Sequence, residues 1–507
     1  LGHVNDPGVD ILAVLMEYNI FPKFPQEALD MANAISKDVV IEEGRLDLTD
    51  KLTITIDGED AKDLDDAITI EKVGDKYRLG VHIADVSYYV KENSPLDHEA
   101  FERGTSVYVV DRVVPMLPHI LSNGICSLNP NEKRYALSCI MDIETNGEVS
   151  DYQLTASVIE SDYRMTYTAV NKMIHGDEQT KSEYPALIEM VEQMTDCASR
   201  IRTRREGLGA IDFEMEEAKI LVDEQGHISQ ILKRERFEAE KLIEDFMVCA
   251  NETVAKHTKW SQVPSLYRIH EVPSKKKMQA YAKIVGLLGY KMKGSMDAVK
   301  PLALRKILEH FEGHDEFPVV SRMMLRSMQK AKYDPSPIGH FGLGLEDYTH
   351  FTSPIRRYPD LVVHRILRKY VFGTPDIAKM AVDEERLKVI AEQSSFKERN
   401  AVDAEREIEN MKKAEYMEEH IGMIADGVIS GVTKFGFFVE LENTIEGLVH
   451  IQSLEDDYYE FDAASMRLTG KNTRKEFRLG QKVRIKVKAA NKAQRTVDFT
   501  YLPARKP

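Results

Sequence analysis

Cysteines, long apolar runs and nucleotide-binding loops are what this chain has least of, and each shortage removes a class of function. Its four cysteines, Cys126, Cys139, Cys197 and Cys249, are scattered through 507 residues. They form no CxxC pair and outline neither a disulfide framework nor a zinc site, which suits a reducing cytoplasm. No apolar stretch is long enough to span a bilayer, and the opening LGHVNDPGVD lacks the basic-then-apolar pattern of a secretory leader. The expected location is cytoplasmic, with no membrane partner. Beginning at Leu1 rather than Met, the chain reads as a piece of a longer one. There is no internal repeat, no low-complexity tract and no Walker or GxGxxG loop. The glycine-rich GHFGLGLEDY at 339–348 has the wrong spacing for a phosphate cradle, so no nucleoside triphosphate is expected. Positive charge is also short, with 68 Lys and Arg against 84 Asp and Glu and a net charge of −16. That total does not exclude a polyanionic partner, because phosphate contacts depend on local charge. From Ile421 to Pro507 there are 14 Lys and Arg against 11 Asp and Glu, so the C-terminal stretch is slightly basic.

What the chain does have is a crowd of acids. Asp57, Asp63, Asp65 and Asp66 stand in TITIDGEDAKDLDDAITIEK, with Glu59 and Asp60 among them. Two carboxylates about 5 Å apart repel by roughly 3 kcal/mol at an effective dielectric of about 20, so a closed loop of this composition needs a cation. Oxygen-only donors without His or Cys point to magnesium or manganese rather than zinc, and such ions serve phosphoryl chemistry. Thr53 to Ile56 and Ala67 to Glu71 alternate β-branched residues, which places the acids between two strands. A calcium loop or a solvated acidic turn is the competing reading. The EF-hand spacing fails, since the Gly at the sixth position and the closing Glu are both missing.

The periodicities predict an α+β chain. Asp10–Tyr18 and Pro25–Ser36 are helical in pattern, so residues 1–45 are expected to form a helical arm or linker with no core of its own. Strand patterns dominate from Leu52 to about Glu160, with helical patterns at 185–205, 236–256 and 359–370, which gives a large mixed α/β domain over 46–372. Residues 373–420, rich in Glu, Lys, Arg and Ala, read as a helical connector completing that domain. Five short strands over 421–502 predict a small OB-type β-barrel, and 503–507 a short basic tail. Phe435, Phe437, Phe438, His450 and the basic run from Arg467 to Lys492 would supply bases with stacking surfaces and phosphates with cations. The alternative is that Phe437 is core and the lysines are a solvated face.

Five segments resemble, in order, the catalytic RNB domain of the ribonuclease II/ribonuclease R family: DGEDAKDLDDA (57–67), VHIADVSYYV (81–90), VPMLPHILSNGICSLNP (114–130), LYRIHEVP (266–273) and HFTSPIRRYPDLVVHR (350–365). The C-terminal barrel resembles the S1 domain that follows it. The resemblance implies a monomeric, processive hydrolase that takes single-stranded RNA from a free 3′ end to nucleoside 5′-monophosphates, using Mg²⁺ or Mn²⁺, with two ions during catalysis. It implies Asp57 and Asp66 as direct metal ligands and Asp63 as a ligand bound directly or through water. Asp65 is then the acid most needed for chemistry, and Arg356 the arginine that neutralises charge on the phosphate. Arg357 is expected to be structural, paired with Asp360 or Asp347. Tyr108 and Phe213 are placed at the two ends of a buried base stack, and Glu405 near the RNA end. His82, Asp85, His270 and His364 are set aside, because a histidine within a strand or helix motif is more often a hydrogen-bonded core residue and a metal-activated water needs no histidine base. The family's upstream cold-shock barrels and the Lys-rich tail of some members are not seen in this sequence. The competing functions are a non-catalytic RNA-binding or regulatory protein on the same scaffold, and a metal-dependent nuclease of different polarity.

Overall fold

The computed structural model describes every residue except 1, 4, 5, 111, 212–216, 224–227, 315, 464 and 504–507. The alternating β-branched segments form β1 (Leu46–Asp47), β2 (Ile54–Asp57), β3 (Asp66–Val73) and β4 (Lys76–Ala84). A small hairpin follows, β5 (Val107–Val109) and β6 (Arg112–Val114), and then β7 (Lys133–Ile143), β8 (Val149–Glu160) and β9 (Tyr163–Thr166). All but the hairpin join one sheet in the order β1-β8-β7-β4-β3-β2-β9. Its central strands are antiparallel, while β1 on β8 and β9 on β2 are parallel. Leu79 to Ala84 are buried without alternation, as expected of a central strand covered on both faces. The helices Ile188–Leu208 and Glu238–Trp260 pack against the sheet and bury Met194, Cys197, Phe246 and Cys249 in the same core.

β2 and β3 share a single registered pair, Ile54 with Ile68, and then part. Beyond it, Asp57 is registered against Thr166 of β9, and Asp66 against Ile83 of β4. The acidic loop therefore spans the gap between two diverging strand ends.

The helix Ile377–Glu418 runs 42 residues, about 63 Å at 1.5 Å per residue. Asp376 caps it by accepting from the Ala378 and Lys379 N–H groups. Its first third lends Leu387, Ile390 and Ala391 to the core beneath the seven-stranded sheet. Its middle lends Ala401, Ile408 and Met411 to a cluster with Val107 and Val114 of the hairpin and with Ile11, Val14 and Leu15 of the N-terminal helix Val9–Glu17. Its end lends Ala414 and Met417 to the barrel. The first helix of the N-terminal arm completes this shared cluster, while the second, Gln26–Asn33, buries Ala28 and Ala32 in the core of the sheet domain. Three further helices, Lys275–Leu287, Pro301–Phe311 and Phe317–Ser327, enclose their own cluster around Tyr281, Leu304, Phe311 and Val320.

Strands Ile424–Thr433, Gly436–Leu441, Glu446–His450, Lys482–Asn491 and Thr496–Leu502 close into a five-stranded barrel. Gly436 adopts φ 146°, and a Cβ there would fall 2.0 Å from the Val449 carbonyl, so the turn into the second barrel strand admits only glycine. Phe437 is fully buried and stacks on Phe477 at 4.6 Å, which makes it core. Phe435, in the turn, is 59% exposed, and His450 is exposed as well. The basic run also divides. Arg467 pairs with Glu476, Lys475 with Asp456, and Lys492 with Asp10 and Glu415, whereas Lys482, Arg484, Lys486 and Lys488 form an outward row on one strand. Among the described residues no helix is long and apolar enough to cross a membrane.

The two phenylalanines should separate packing from surface. Phe437→Ala is expected to cost about 3–5 kcal/mol in the barrel's unfolding, and Phe435→Ala no more than about 0.5 kcal/mol. Chemical denaturation followed by circular dichroism checks this, and equal losses would place both rings in the core.

Candidate active site

Asp57 is the last residue of β2 and Asp66 the first of β3; Asp63 and Asp65 lie on the loop between them. Both halves of that loop are tied to neighbouring segments. Arg164, on β9, donates from Nη2 to the carbonyls of Glu59 at 2.9 Å and Ala61 at 2.7 Å. The Ser127 hydroxyl donates to the Lys62 carbonyl at 2.8 Å and accepts from the Leu64 N–H at 3.0 Å. The Leu128 N–H donates to the Leu64 carbonyl at 3.0 Å. These last contacts give the SNGICSLNP stretch its place, since it carries the loop's second anchor.

Asp65 is 5% exposed. Its Oδ1 accepts from the Ile355 N–H at 2.9 Å, while Oδ2 is buried without a hydrogen bond, 3.8 Å from Arg356 Nε. Oδ2 of Asp57 is orphaned in the same way. Burial, then the charge of Asp66, pushes the Asp57 carboxyl well above the usual range. Burial does the same to Asp65 against the opposing Arg356, and raises Asp66 to about 6, again with Arg356 opposing. Each orphaned oxygen costs on the order of 1–3 kcal/mol. Two unsatisfied carboxylate oxygens, an all-oxygen donor set and uncompensated like charge fit a hard divalent cation. Among the described residues no three acids already stand as a cage, so these side chains would turn onto an ion rather than receive it ready-made.

The SPIRRYPDL segment presents Arg356 from a fixed backbone. The Arg356 carbonyl accepts from the Ser106 N–H at 2.9 Å and from the Thr105 hydroxyl at 3.1 Å. Its Nη2 donates to Ser353 Oγ at 3.0 Å, and the side chain remains 43% exposed, within reach of a ligand. Arg357 instead donates to Asp360 Oδ1 at 2.7 Å, the structural role expected of it; Asp347 is taken by Lys259 at 2.5 Å.

Tyr108 joins two other candidates. Its hydroxyl donates to Asp63 Oδ2 at 2.9 Å and its backbone N–H to Glu405 Oε1 at 2.8 Å, while the residue stays 43% exposed. Asp57, Asp63, Asp65, Asp66, Arg356, Tyr108 and Glu405 thus form one connected neighbourhood. Phe213 lies outside the described residues. Tyr167, which opens the helix Tyr167–Ile174, belongs to the site and was not singled out in the sequence: burial and the charges of Asp66 and Asp57 hold its phenol protonated. Arg164 was missed too, because its importance depends on the parallel pairing of β9 with β2. The residues set aside serve the scaffold. His82 sits between Thr69 Oγ1 at 2.9 Å and Ser138 Oγ at 2.7 Å, and burial lowers it to about 4. His364 Nε2 meets the Phe351 carbonyl at 2.7 Å, and burial lowers it to about 4. His270 bridges the Gly342 N–H and the Gln329 carbonyl, and Asp85 pairs with Arg45 and Arg368.

Residues 45–373 match the RNB domain family and residues 418–502 the S1 RNA binding domain family. The chain is 48% identical to Ribonuclease R 1 of Lactococcus lactis over 507 residues, covering 99% of this chain and 62% of the relative. It is 45% identical to Ribonuclease R of Thermotoga maritima, covering 98% of this chain and 71% of that one. The fold matches Mycoplasma genitalium RNase R in complex with ribose methylated single-stranded RNA with a TM-score of 0.92, at 32% identity, over 99% of this chain and 79% of that one. The chain therefore spans under two thirds of the Lactococcus relative's length.

The raised Asp66 carboxyl carries a stability cost with a defined sign. Its value of about 6 in the folded protein lies above the ordinary 3.8. Well below pH 4 it is protonated in both states and costs nothing; as the pH rises from about 4 to about 6 the metal-free fold loses up to about 3 kcal/mol, and no more above that. In chelator, Asp66→Asn should therefore melt above the parent protein at pH 7 and together with it near pH 4. Identical melting at pH 7 would mean that Asp66 ionises there without penalty.

Proposed function

This chain belongs to the RNB family, and from that premise we propose that it is a hydrolytic exoribonuclease which shortens single-stranded RNA processively from a free 3′ end, releasing nucleoside 5′-monophosphates. The observation that carries the reading is the meeting, at one splayed end of the sheet, of four aspartates with two orphaned oxygens and an arginine held by its backbone. The ribonuclease R relatives, and the neighbour bound to single-stranded RNA, support the substrate class.

In this reading Asp57, Asp63 and Asp66 hold Mg²⁺, or Mn²⁺, with two ions during catalysis. When bound, the ions lower the pKa of the attacking water and stabilise the leaving 3′ oxygen. Asp65, clamped through Oδ1 by the Ile355 N–H, would have its free Oδ2, 3.8 Å from Arg356 Nε, available to organise charge around the ions. The Arg356 guanidinium neutralises the charge that builds on the equatorial phosphate oxygens, for which its planar fork is suited. Tyr108 stacks on a base near the 3′ end, with Phe213 closing the other end of the stack, and its hydroxyl bond to Asp63 ties the position of that base to the acids. Glu405 holds the Tyr108 backbone and offers its second oxygen to the RNA end. Residues 46–372, completed by the arm at 1–45 and the connector at 373–420, make the catalytic unit, and 421–502 a barrel that captures RNA, with 503–507 its basic tail. Exposed Phe435 and His450 stack bases, and the Lys482, Arg484, Lys486, Lys488 row neutralises phosphates. We place the protein in the cytoplasm as a monomer. A non-catalytic RNA-binding role on this scaffold is disfavoured because the four acids and Arg356 are all retained.

A 5′-labelled RNA oligomer incubated with Mg²⁺ tests the reading. Stepwise shortening from the 3′ end is expected; internal cuts would assign another polarity, and binding without cleavage the non-catalytic role. Asp65→Asn and Arg356→Lys should each lower kcat by about 10²–10³ while leaving RNA affinity within a few-fold. A loss confined to KM would reassign the altered residue to substrate positioning. Tyr108→Ala should lengthen the terminal product without abolishing hydrolysis, which a sequencing gel resolves to one nucleotide.

A further inference from the structure

We infer that Arg164 is a positioning residue for the acidic loop, setting the path of residues 58–62 so that Asp63 comes into line with Asp57 and Asp66. The inference rests on the metal-dependent reading above and adds to it a residue outside the acids and the catalytic arginine.

The argument begins with what the sheet leaves undone. β2 and β3 stop pairing at Ile54 and Ile68, so no ladder bond between them fixes the loop that joins them. The C-terminal half of the loop is anchored by Ser127 and Leu128. The N-terminal half has one internal turn bond, Ala61 N–H to the Gly58 carbonyl at 3.2 Å, and one side-chain tether, Thr168 Oγ1 to Glu59 Oε1 at 2.5 Å. The carbonyls of Glu59 and Ala61 are both held by Arg164 Nη2. Asp63 stands where the two anchored halves meet, with its carboxylate turned to Tyr108.

Arg164 reaches that place because β9 runs parallel to β2, with Thr55 registered against Arg164 and Asp57 against Thr166. One planar guanidinium nitrogen carries two hydrogens in fixed directions, so it can bridge two carbonyls; an ammonium on a flexible stem supplies the charge without that geometry. The same guanidinium also lies close enough to Asp57 to favour its ionised form. The two effects have opposite consequences for a bound cation. As a charge, Arg164 repels the metal, and its removal would tighten binding. As a loop anchor it pre-organises the ligands, and its removal would weaken binding. Arg164 is exposed, so its charge is screened by solvent, while its hydrogen bonds fix backbone geometry. The anchoring effect is therefore the larger of the two.

The experiment measures free Mn²⁺ by electron paramagnetic resonance during titration of the parent, Arg164→Lys and Arg164→Met. Both variants are expected to bind Mn²⁺ roughly 10-fold more weakly, as is usual when an outer-shell partner of a metal site is lost. Both should regain most of the parent kcat at saturating Mn²⁺ and keep the parent's RNA affinity. Trypsin offers a readout that needs no metal: in chelator, cleavage after Lys62 should be faster in both variants, while melting temperatures stay close to the parent's. Equal or tighter Mn²⁺ binding by Arg164→Met, parent-like binding by Arg164→Lys, or unchanged cleavage at Lys62 would each overturn the assignment. A parent protein that binds no Mn²⁺ would overturn the metal-dependent reading itself, whereas a binding parent with indifferent variants overturns Arg164 alone.

Discussion

Uncompensated negative charge at the parted ends of β2 and β3 is the constraint on which the rest of the molecule turns. A sheet would ordinarily close such a gap with ladder bonds, and a surface loop would let water separate the acids. Here neither happens. The carboxyls of Asp57, Asp65 and Asp66 are buried enough for all three to be raised, and two of their oxygens have no hydrogen-bond partner. The fold contains that repulsion by fixing backbone rather than by neutralising charge. The Ile355 N–H grips Asp65, Ser127 and Leu128 grip Lys62 and Leu64, and Arg164 grips Glu59 and Ala61. Each of these groups comes from a segment distant in sequence, so the geometry of the centre depends on most of the surrounding domain.

The helix Ile377–Glu418 extends that dependence to the edges of the molecule. It takes part in the catalytic core, in the cluster behind the β5–β6 hairpin, and in the barrel core. Glu405 on this helix accepts from the Tyr108 backbone, and the Tyr108 hydroxyl reaches Asp63, so three residues link the helix to the acids in two hydrogen bonds. Close by, Lys412 is almost fully buried between Asp10 and Glu415, and Lys492 of the barrel joins the same pair. The side chains of the N-terminal helix, the long helix and the barrel thereby share one charge cluster, in which Lys412 and Lys492 hold Asp10 at about 2 against the cost of its burial. Some basic residues that a reading of the sequence assigns to nucleic acid are here part of the protein's own joinery, whereas Lys471, Arg474, Arg478 and the row from Lys482 to Lys488 face solvent.

Much of this was legible before the structure because the informative residues were local. Alternating strands on both sides of the acids placed Asp57 and Asp66 at strand ends, and of the two partners expected for Arg357, Asp360 and Asp347, the structure shows Asp360. The dense Glu, Lys, Arg and Ala composition foretold the long helix to within a few residues, and five short strands foretold the closed barrel. What stayed hidden depended on register and contact at long range. Phe435 and Phe437 look alike in sequence, and only the turn at Gly436 decides that one faces solvent and the other the core. Arg164 and Tyr167 carry no motif, since each matters only because β9 lies parallel to β2 a hundred residues away. The helices from Lys275 to Ser327 are short, and the lysine- and glycine-bearing loop between the first two interrupts their pattern.

The charge arrangement also constrains the order in which ligands can arrive. A phosphodiester brought to the acids without a cation would add negative charge beside carboxyls that already resist ionising, with only Arg356 to offset it, and Arg356 is half exposed and screened. In the proposed reading, a divalent ion arriving first would relieve the repulsion and give the orphaned oxygens of Asp57 and Asp65 a partner, so that a phosphate would then meet positive charge on two sides. Because the bound ion removes a cost that the folded protein alone bears, its binding energy adds to the stability of the domain. On that reading the same relief would prepare the site for RNA and stiffen the loop that holds it, a functional return on acids that the fold by itself would be better without.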